Sequence, residues 1–175
     1  MIDIKNFLNK RTVIIGDVNS GKTQYTLDII RKFLTSDISD IAILDLAPEK
    51  VREIGGKMIL PETPEILYMT TDIVAPRLTG RNDEEIQMLA RENKQAIEKL
   101  FDTYLQNPRD VIFVNDVTLY LHAGSVDRLT EILSTASTQV VNAYYGISFA
   151  DSTLTRKERE SVDLLLQTCD TVIEL

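Results

Sequence analysis

The chain has 175 residues, 43% of them hydrophobic and 26% charged, which supports a folded core and excludes a disordered or low-complexity polymer. Its net charge of −8 repels phosphate backbones and argues against a nucleic-acid partner, though not against one phosphorylated ligand at a local site. One cysteine, Cys169, and one histidine, His122, are too few for a zinc cage or a disulfide framework, and Cys169 reads as a small buried residue.

In chain order, Lys5, Lys10 and Arg11 interrupt the opening stretch, so it does not read as a secretory leader. No apolar run approaches the roughly 18 residues that cross a bilayer. The expectation is one cytoplasmic domain over 1–175, with no membrane partner. The β-branched run 11–16 predicts a buried strand, and 22–34 changes to helical period, with Tyr25, Ile29 and Phe33 recurring. A second strand is expected over 40–46, a short helix over 47–56 closed by two glycines, and a third strand over 65–72. Pro76 and Gly80 mark 73–83 as a loop. Asn82 then caps a long helix with Glu85 three residues on, and the helix stops near Pro108. The run 110–116 predicts a central strand, 124–136 a helix, and 138–146 a strand. A helix over 155–168, with Glu158 three residues after Thr155, and a strand over 171–175 complete the pattern. This alternation predicts a three-layer α/β/α fold with a mostly parallel sheet, its ligand beyond the carboxyl ends of the strands.

Gly16-Asp17-Val18-Asn19-Ser20-Gly21-Lys22-Thr23 fits G-x-x-x-x-G-K-[ST], between a predicted strand and a predicted helix. The glycines let the backbone wrap closely around oxygen atoms, and the loop amides, through Gln24, point inward as an anion nest. Lys22 is expected on the outer phosphates and Thr23 on Mg²⁺, with the helix start adding its positive end. The motif resembles that of the P-loop NTPase superfamily. Such a site needs a carboxylate at the end of an apolar strand, and Asp116, after "VIFVN", is the expected second metal residue and, with Lys22, the expected catalytic pair. The next residue is Val117, where many ATPases carry a glutamate that activates water, which puts fast hydrolysis in doubt.

Asp45 and Asp72 also end predicted strands and could orient water or a second substrate, although solvated loop carboxylates are the blander expectation. Arg77 and Arg81 could serve as lid arginines, but solvated surface positions are favoured for both. Arg109, Arg128 and Arg156 are arginine-finger candidates by charge alone. His122 could contact a nucleotide or act as an acid but is read first as structural, and Asn142 is read as a sensor of the terminal phosphate or an amide bonded within the fold. Tyr144 and Tyr145 either stack on a base or, as favoured, pack in the core.

From about residue 83 the chain also resembles the P-loop corrinoid adenosyltransferases, in the long helix, the strand "DVIFVND", the segment "VTLYLHAGSVDRLTEIL" and the ending "CDTVIEL". That likeness implies RecA-like strand order, with the aspartate strand next to the loop strand, and transfer of the adenosyl group of ATP to reduced cobalt. The sequence departs from the family at Asn115-Asp116-Val117, where an Asp-Glu is usual, and at "NAYYG". The leading expectation is a slow Mg²⁺-dependent ATPase or nucleotide switch that binds a nucleoside triphosphate, most readily ATP, as a homo-oligomer or with a protein partner. A transferase that uses ATP (an adenosyltransferase or a small-molecule kinase) and a module that holds nucleotide without turnover are the alternatives.

Overall fold

The computed structural model describes residues 2–36, 38–60 and 66–175, so the first residue of the strand expected over 65–72 lies outside the described residues. Six parallel strands form one sheet: β1 (Arg11–Gly16), β2 (Ile41–Asp45), β3 (Ile66–Thr70), β4 (Val111–Asn115), β5 (Thr138–Tyr144) and β6 (Thr171–Glu174). The helices are α1 (Lys22–Leu34), α2 (Pro76–Thr79), α3 (Asp83–Tyr104), α4 (Thr118–Leu121), α5 (Val126–Leu133) and α6 (Thr153–Leu166).

Strand residues alternate between two cores, because successive side chains of a strand point to opposite faces. Ile14, Ile43, Phe113 and Val140 meet Leu27, Ile30 and Phe33 of α1 on one face. Val13, Leu44, Val114 and Val141 meet Ile97, Phe101, Leu121, Leu129, Ile132 and Val162 of α3 to α6 on the other. Burial on both faces explains why these strands read as continuous apolar runs. This is the expected α/β/α layering.

The strand order is β3-β2-β4-β5-β1-β6, which is RecA-like. One expected detail fails: β4, which leads into Asp116, does not neighbour β1, because β5 lies between and pairs with both. The insertion has a consequence, since it brings the polar side chain of Asn142 on β5 between the two halves of the site.

Local expectations differ at four places. The helix expected over 47–56 is absent; Val51 and Ile54 form a two-residue bridge, and Arg52 and Glu53 between them have φ of 50° and 62°. Tertiary bonds hold this segment open. The Asp45 carboxylate takes the N–H groups of Ala47 and Met58, and the Lys57 ammonium donates to the Ala47 carbonyl. The loop expected over 73–83 contains α2, where Pro76 sits in the first turn and Gly80 follows the last, so the two breakers act as end signals. Residues after Asp116 form α4, which had no sequence expectation. Finally, α6 is capped by Ser152, which accepts from the Thr155 N–H, and not by Thr155. At α3 the Asn82 side chain accepts from the Glu85 N–H as expected.

Candidate functional site

The loop between β1 and α1 carries the expected phosphate-binding residues. Gly21 precedes the helix at φ 94°, a left-handed conformation that costs glycine little, and has no side chain to cap the first-turn N–H groups. Those donors, at Lys22, Thr23 and Gln24, sit at the positive end of the helix. A Cβ at Gly16 would overlap the Ser20 hydroxyl and the Leu175 carbonyl, so only glycine fits this approach. The Lys22 ammonium folds back on the loop, donating to the carbonyls of Gly16 at 2.9 Å and Asp17 at 2.6 Å. Burial pushes Lys22 below the usual lysine range, while the charges of Asp116 and Asp17 work the other way.

Asp17 fastens the loop to the segment after β5. Its carboxylate accepts from the N–H groups of Val18 and Ile147. The Ser148 hydroxyl and the Ile147 N–H bring its pKa down to about 2.

Behind the loop lies a buried polar network. The Thr23 hydroxyl donates to Asn115 Oδ1 at 3.4 Å, and Asn142 Nδ2 donates to the same oxygen at 2.8 Å. Asn115 Nδ2 donates to Asp45 Oδ1 at 2.7 Å. The side chain that Thr23 reaches is therefore Asn115, one residue before Asp116. Asp45 is fully buried and also accepts from Ala47 N–H, Met58 N–H and the Tyr68 hydroxyl, so it braces the fold and has no oxygen left to orient water.

Asp116 follows with φ 55°, a strained position for a residue with a side chain. Asn142 clamps it: its Oδ1 accepts from the Asp116 N–H at 2.7 Å, and its backbone carbonyl accepts from the Val117 N–H. Asn142 also donates to the Thr26 hydroxyl, so its amide is spent on holding the site together. The turn aims the Asp116 carboxyl into the cleft, where it accepts from the Thr118 hydroxyl. Burial pushes its pKa above the usual carboxylate range, against the Thr118 bond and the charges of His122 and Lys22.

The cleft encloses about 350 Å³ and is lined by Lys22, Thr23 and the loop together with Arg77, His122, Tyr144 and Phe149. Arg77 is half-buried in the cleft lining, contrary to the solvated surface position expected. Its guanidinium makes a two-pronged pair with Glu158 at 2.9 and 2.8 Å and lies 3.9 Å from the Phe149 ring centre. His122 Nε2 is 2.5 Å from the same carboxylate. Burial alone raises Glu158, but His122 and Arg77 outweigh it and hold the carboxyl below its ordinary range. Sequence reasoning passed over Glu158, because its partners lie 36 and 81 positions away.

The remaining candidates lie elsewhere. Asp72 is exposed beside a separate hollow. Arg81 pairs with Glu85, Arg109 with Asp40, Arg128 with Glu98, Asp102 and Glu131, and Arg156 with Asp151. Tyr144 is buried in the cleft wall, edge-on to Phe149, whereas Tyr145 is half-buried beneath Arg159. Cys169 is half-buried against the core. Among the described residues no helix is long and apolar enough to cross a membrane.

Six parallel strands in RecA-like order, with a glycine loop opening α1 at their carboxyl ends, define an α/β fold of the nucleotide-binding type. A solved structure shares it: the flagellar accessory protein FlaH from Methanocaldococcus jannaschii is similar with a TM-score of 0.57 and 10% identity, over 96% of this chain and 71% of that one. At that identity the likeness is one of fold. No protein-family model and no curated protein matches the sequence.

Proposed function

We propose that the protein binds a nucleoside triphosphate, ATP first among them, with Mg²⁺, and acts as a slow ATPase or nucleotide-dependent switch of the P-loop kind. The observation that carries this is the uncapped start of α1, with Lys22 laid over the carbonyls of the glycine loop. The donor set fits the ligand: amide N–H groups and an ammonium suit phosphate oxygens, and the oxygens of a hydroxyl and a carboxyl that line the same cleft suit a hard divalent cation. In this reading the amides of residues 17–24 and Lys22 hold the phosphates, while Thr23 and Asp116 hold the metal, whose charge would stabilise the leaving phosphate.

The internal bonds of Lys22 are of a kind that phosphate oxygens can replace. Asp116 faces the cleft in a strained turn, and strain of this sort persists where surrounding bonds over-determine it. A second reading, a module that holds nucleotide without turnover, is favoured by Asn115. An amide, not a carboxylate, stands opposite Thr23.

Calorimetric titration with Mg-ATP tests binding. The wild-type protein is expected to bind and Lys22→Ala to lose binding; no wild-type binding, or undiminished binding by the variant, overturns the proposal. Chromatography of the products, with and without reduced cobalamin, then separates the activities. ADP and phosphate support the ATPase. Triphosphate formed only with cobalamin supports the adenosyltransferase alternative. Bound, unchanged ATP supports the holding module.

A further inference from the structure

The phosphate loop is tied to the segment that follows β5, and one carboxylate makes the tie. Val18 to Gln24 line the cleft, whereas the Asp17 side chain turns to that segment. Its Oδ1 accepts from the Val18 N–H at 2.6 Å and its Oδ2 from the Ile147 N–H at 3.0 Å, a contact between residues 130 positions apart. The approach is close: a Cβ at Gly146 would overlap the Asp17 carboxyl, so a side chain there would displace it.

Little burial holds residues 146–148. Ile147 is 90% exposed and Ser148 is exposed, so no apolar packing anchors them. Arg159 adds one bond, donating to the Gly146 carbonyl at 2.6 Å. The next residue, Phe149, lines the cleft, with Arg77 over its ring and Tyr144 edge-on to it. A short run of chain therefore joins the loop to the cleft wall: Ile147 on Asp17, then Ser148, then Phe149.

The loop is also where a ligand changes the bonding. Lys22 now donates to the carbonyls of Gly16 and of Asp17 itself, and phosphate oxygens can replace both. A loop ordered by its ligand fixes Asp17, and a fixed Asp17 fixes the Ile147 N–H. Order shared in this way between two segments is a coupling free energy, and it acts in both directions.

We propose that Asp17 is a positioning residue that couples occupancy of the phosphate loop to the segment 146–149: a bound triphosphate orders the loop, and the Asp17 carboxylate passes that order through Ile147 to Phe149 in the cleft wall. This rests on the nucleotide-binding reading above and adds to it an exposed segment whose state reports the nucleotide.

Hydrogen exchange read by mass spectrometry tests the coupling, on the full chain with and without Mg²⁺ and a saturating non-hydrolysable ATP analogue. Two peptides are compared, one over 20–26 at the loop and one over 145–150. In the wild-type protein the nucleotide is expected to slow exchange in both, by about five- to a hundredfold at the Ile147 amide, the usual range of such couplings. Gly146→Ala drives the Asp17 carboxyl from Ile147 and leaves the loop sequence intact. In this variant 20–26 should remain protected by nucleotide while 145–150 loses its response. Asp17→Ala, titrated to saturation, should lose the response at 145–150 likewise, and it carries the test if thermal unfolding shows that Gly146→Ala is not folded. A wild-type 145–150 that ignores the nucleotide while 20–26 is protected overturns the coupling and leaves the nucleotide reading standing. So does a response at 145–150 that survives in either folded variant, because the nucleotide then reaches that segment without Asp17. Loss of protection at both peptides in Gly146→Ala overturns the coupling too, since the contact would then serve the phosphate site itself. No protection at either peptide in the wild-type protein overturns the coupling and the nucleotide reading together.

Discussion

Asn115→Asp is the substitution that most directly probes the design of the site. It would place a carboxylate opposite Thr23, where the proposed metal site would be served by one. In this protein it would also place that carboxylate against Asp45, whose Oδ1 now accepts from Asn115 Nδ2 at 2.7 Å in a fully buried position. Two buried carboxylates about 4 Å apart repel by about 4 kcal/mol at an effective dielectric of 20. Uptake of one shared proton relieves this repulsion, so the variant binds a proton as it folds. The sign follows: the pair's folded affinity for protons is raised, so the deficit is small near pH 4, grows as pH rises, and is full by about pH 7, since about 4 kcal/mol corresponds to roughly 3 pH units. Urea unfolding followed by circular dichroism, repeated from pH 4 to pH 8, measures it.

The exchanged pair, Asn115→Asp with Asp45→Asn, should recover most of the loss. The amide oxygen introduced at position 45 can still accept from Met58 N–H and the Tyr68 hydroxyl, and the amide nitrogen beside it can donate to the carboxylate introduced at position 115; only the 3.2 Å bond from Ala47 N–H is given up. A loss under about 1 kcal/mol in the single variant at pH 8, or an exchanged pair no more stable than the single one, would refute the account of why an amide stands at position 115.

Other outcomes follow from the same geometry. Asp116→Asn should weaken the Mg²⁺ dependence of ATP binding, and an unchanged magnesium titration removes that residue from the metal site. Arg77→Met leaves Glu158 buried with only His122 beside it and should cost about 3 kcal/mol or more in urea unfolding; adding Glu158→Leu should return part of that, which an uncoupled pair would not do. Asp17→Asn should destabilise by less than about 1 kcal/mol at pH 7, since the carboxylate is partly exposed. Because the Asp17 pKa is depressed to about 2, its contribution is present above pH 4 and lost as pH falls through about 2, so wild type and variant should converge there. Phe113→Ala removes a fully buried ring that meets Phe33 edge-on at 5.6 Å and should cost about 3–5 kcal/mol, read as a lower urea midpoint with an unchanged slope.

The layers of the fold were legible because they rest on local chemistry. A β-branched run buried on both faces has no polar alternation, and α1 and α3 announce themselves by period and, for α3, by the Asn82 cap. The glycine loop was legible for the same reason, since Gly21 takes a left-handed turn and Ser20, four residues on, crowds Gly16, although Leu175 crowds Gly16 as well from far along the chain. The segment 47–56 misled because its helical signals are weak beside the bonds that Asp45 and Lys57 impose from outside it.

What the amino-acid order determined by itself was therefore the six strands, the longer helices, the glycine loop and the acidic turn after β4, each encoded over short stretches of chain. Only the tertiary structure decided which residue of Asn115-Asp116 stands opposite Thr23, that β5 separates β4 from β1, and that Arg77 and His122 line the cleft with Glu158 bound to both. These depend on strand order and on side chains meeting across dozens of residues, and no local propensity or periodicity records a contact of that kind.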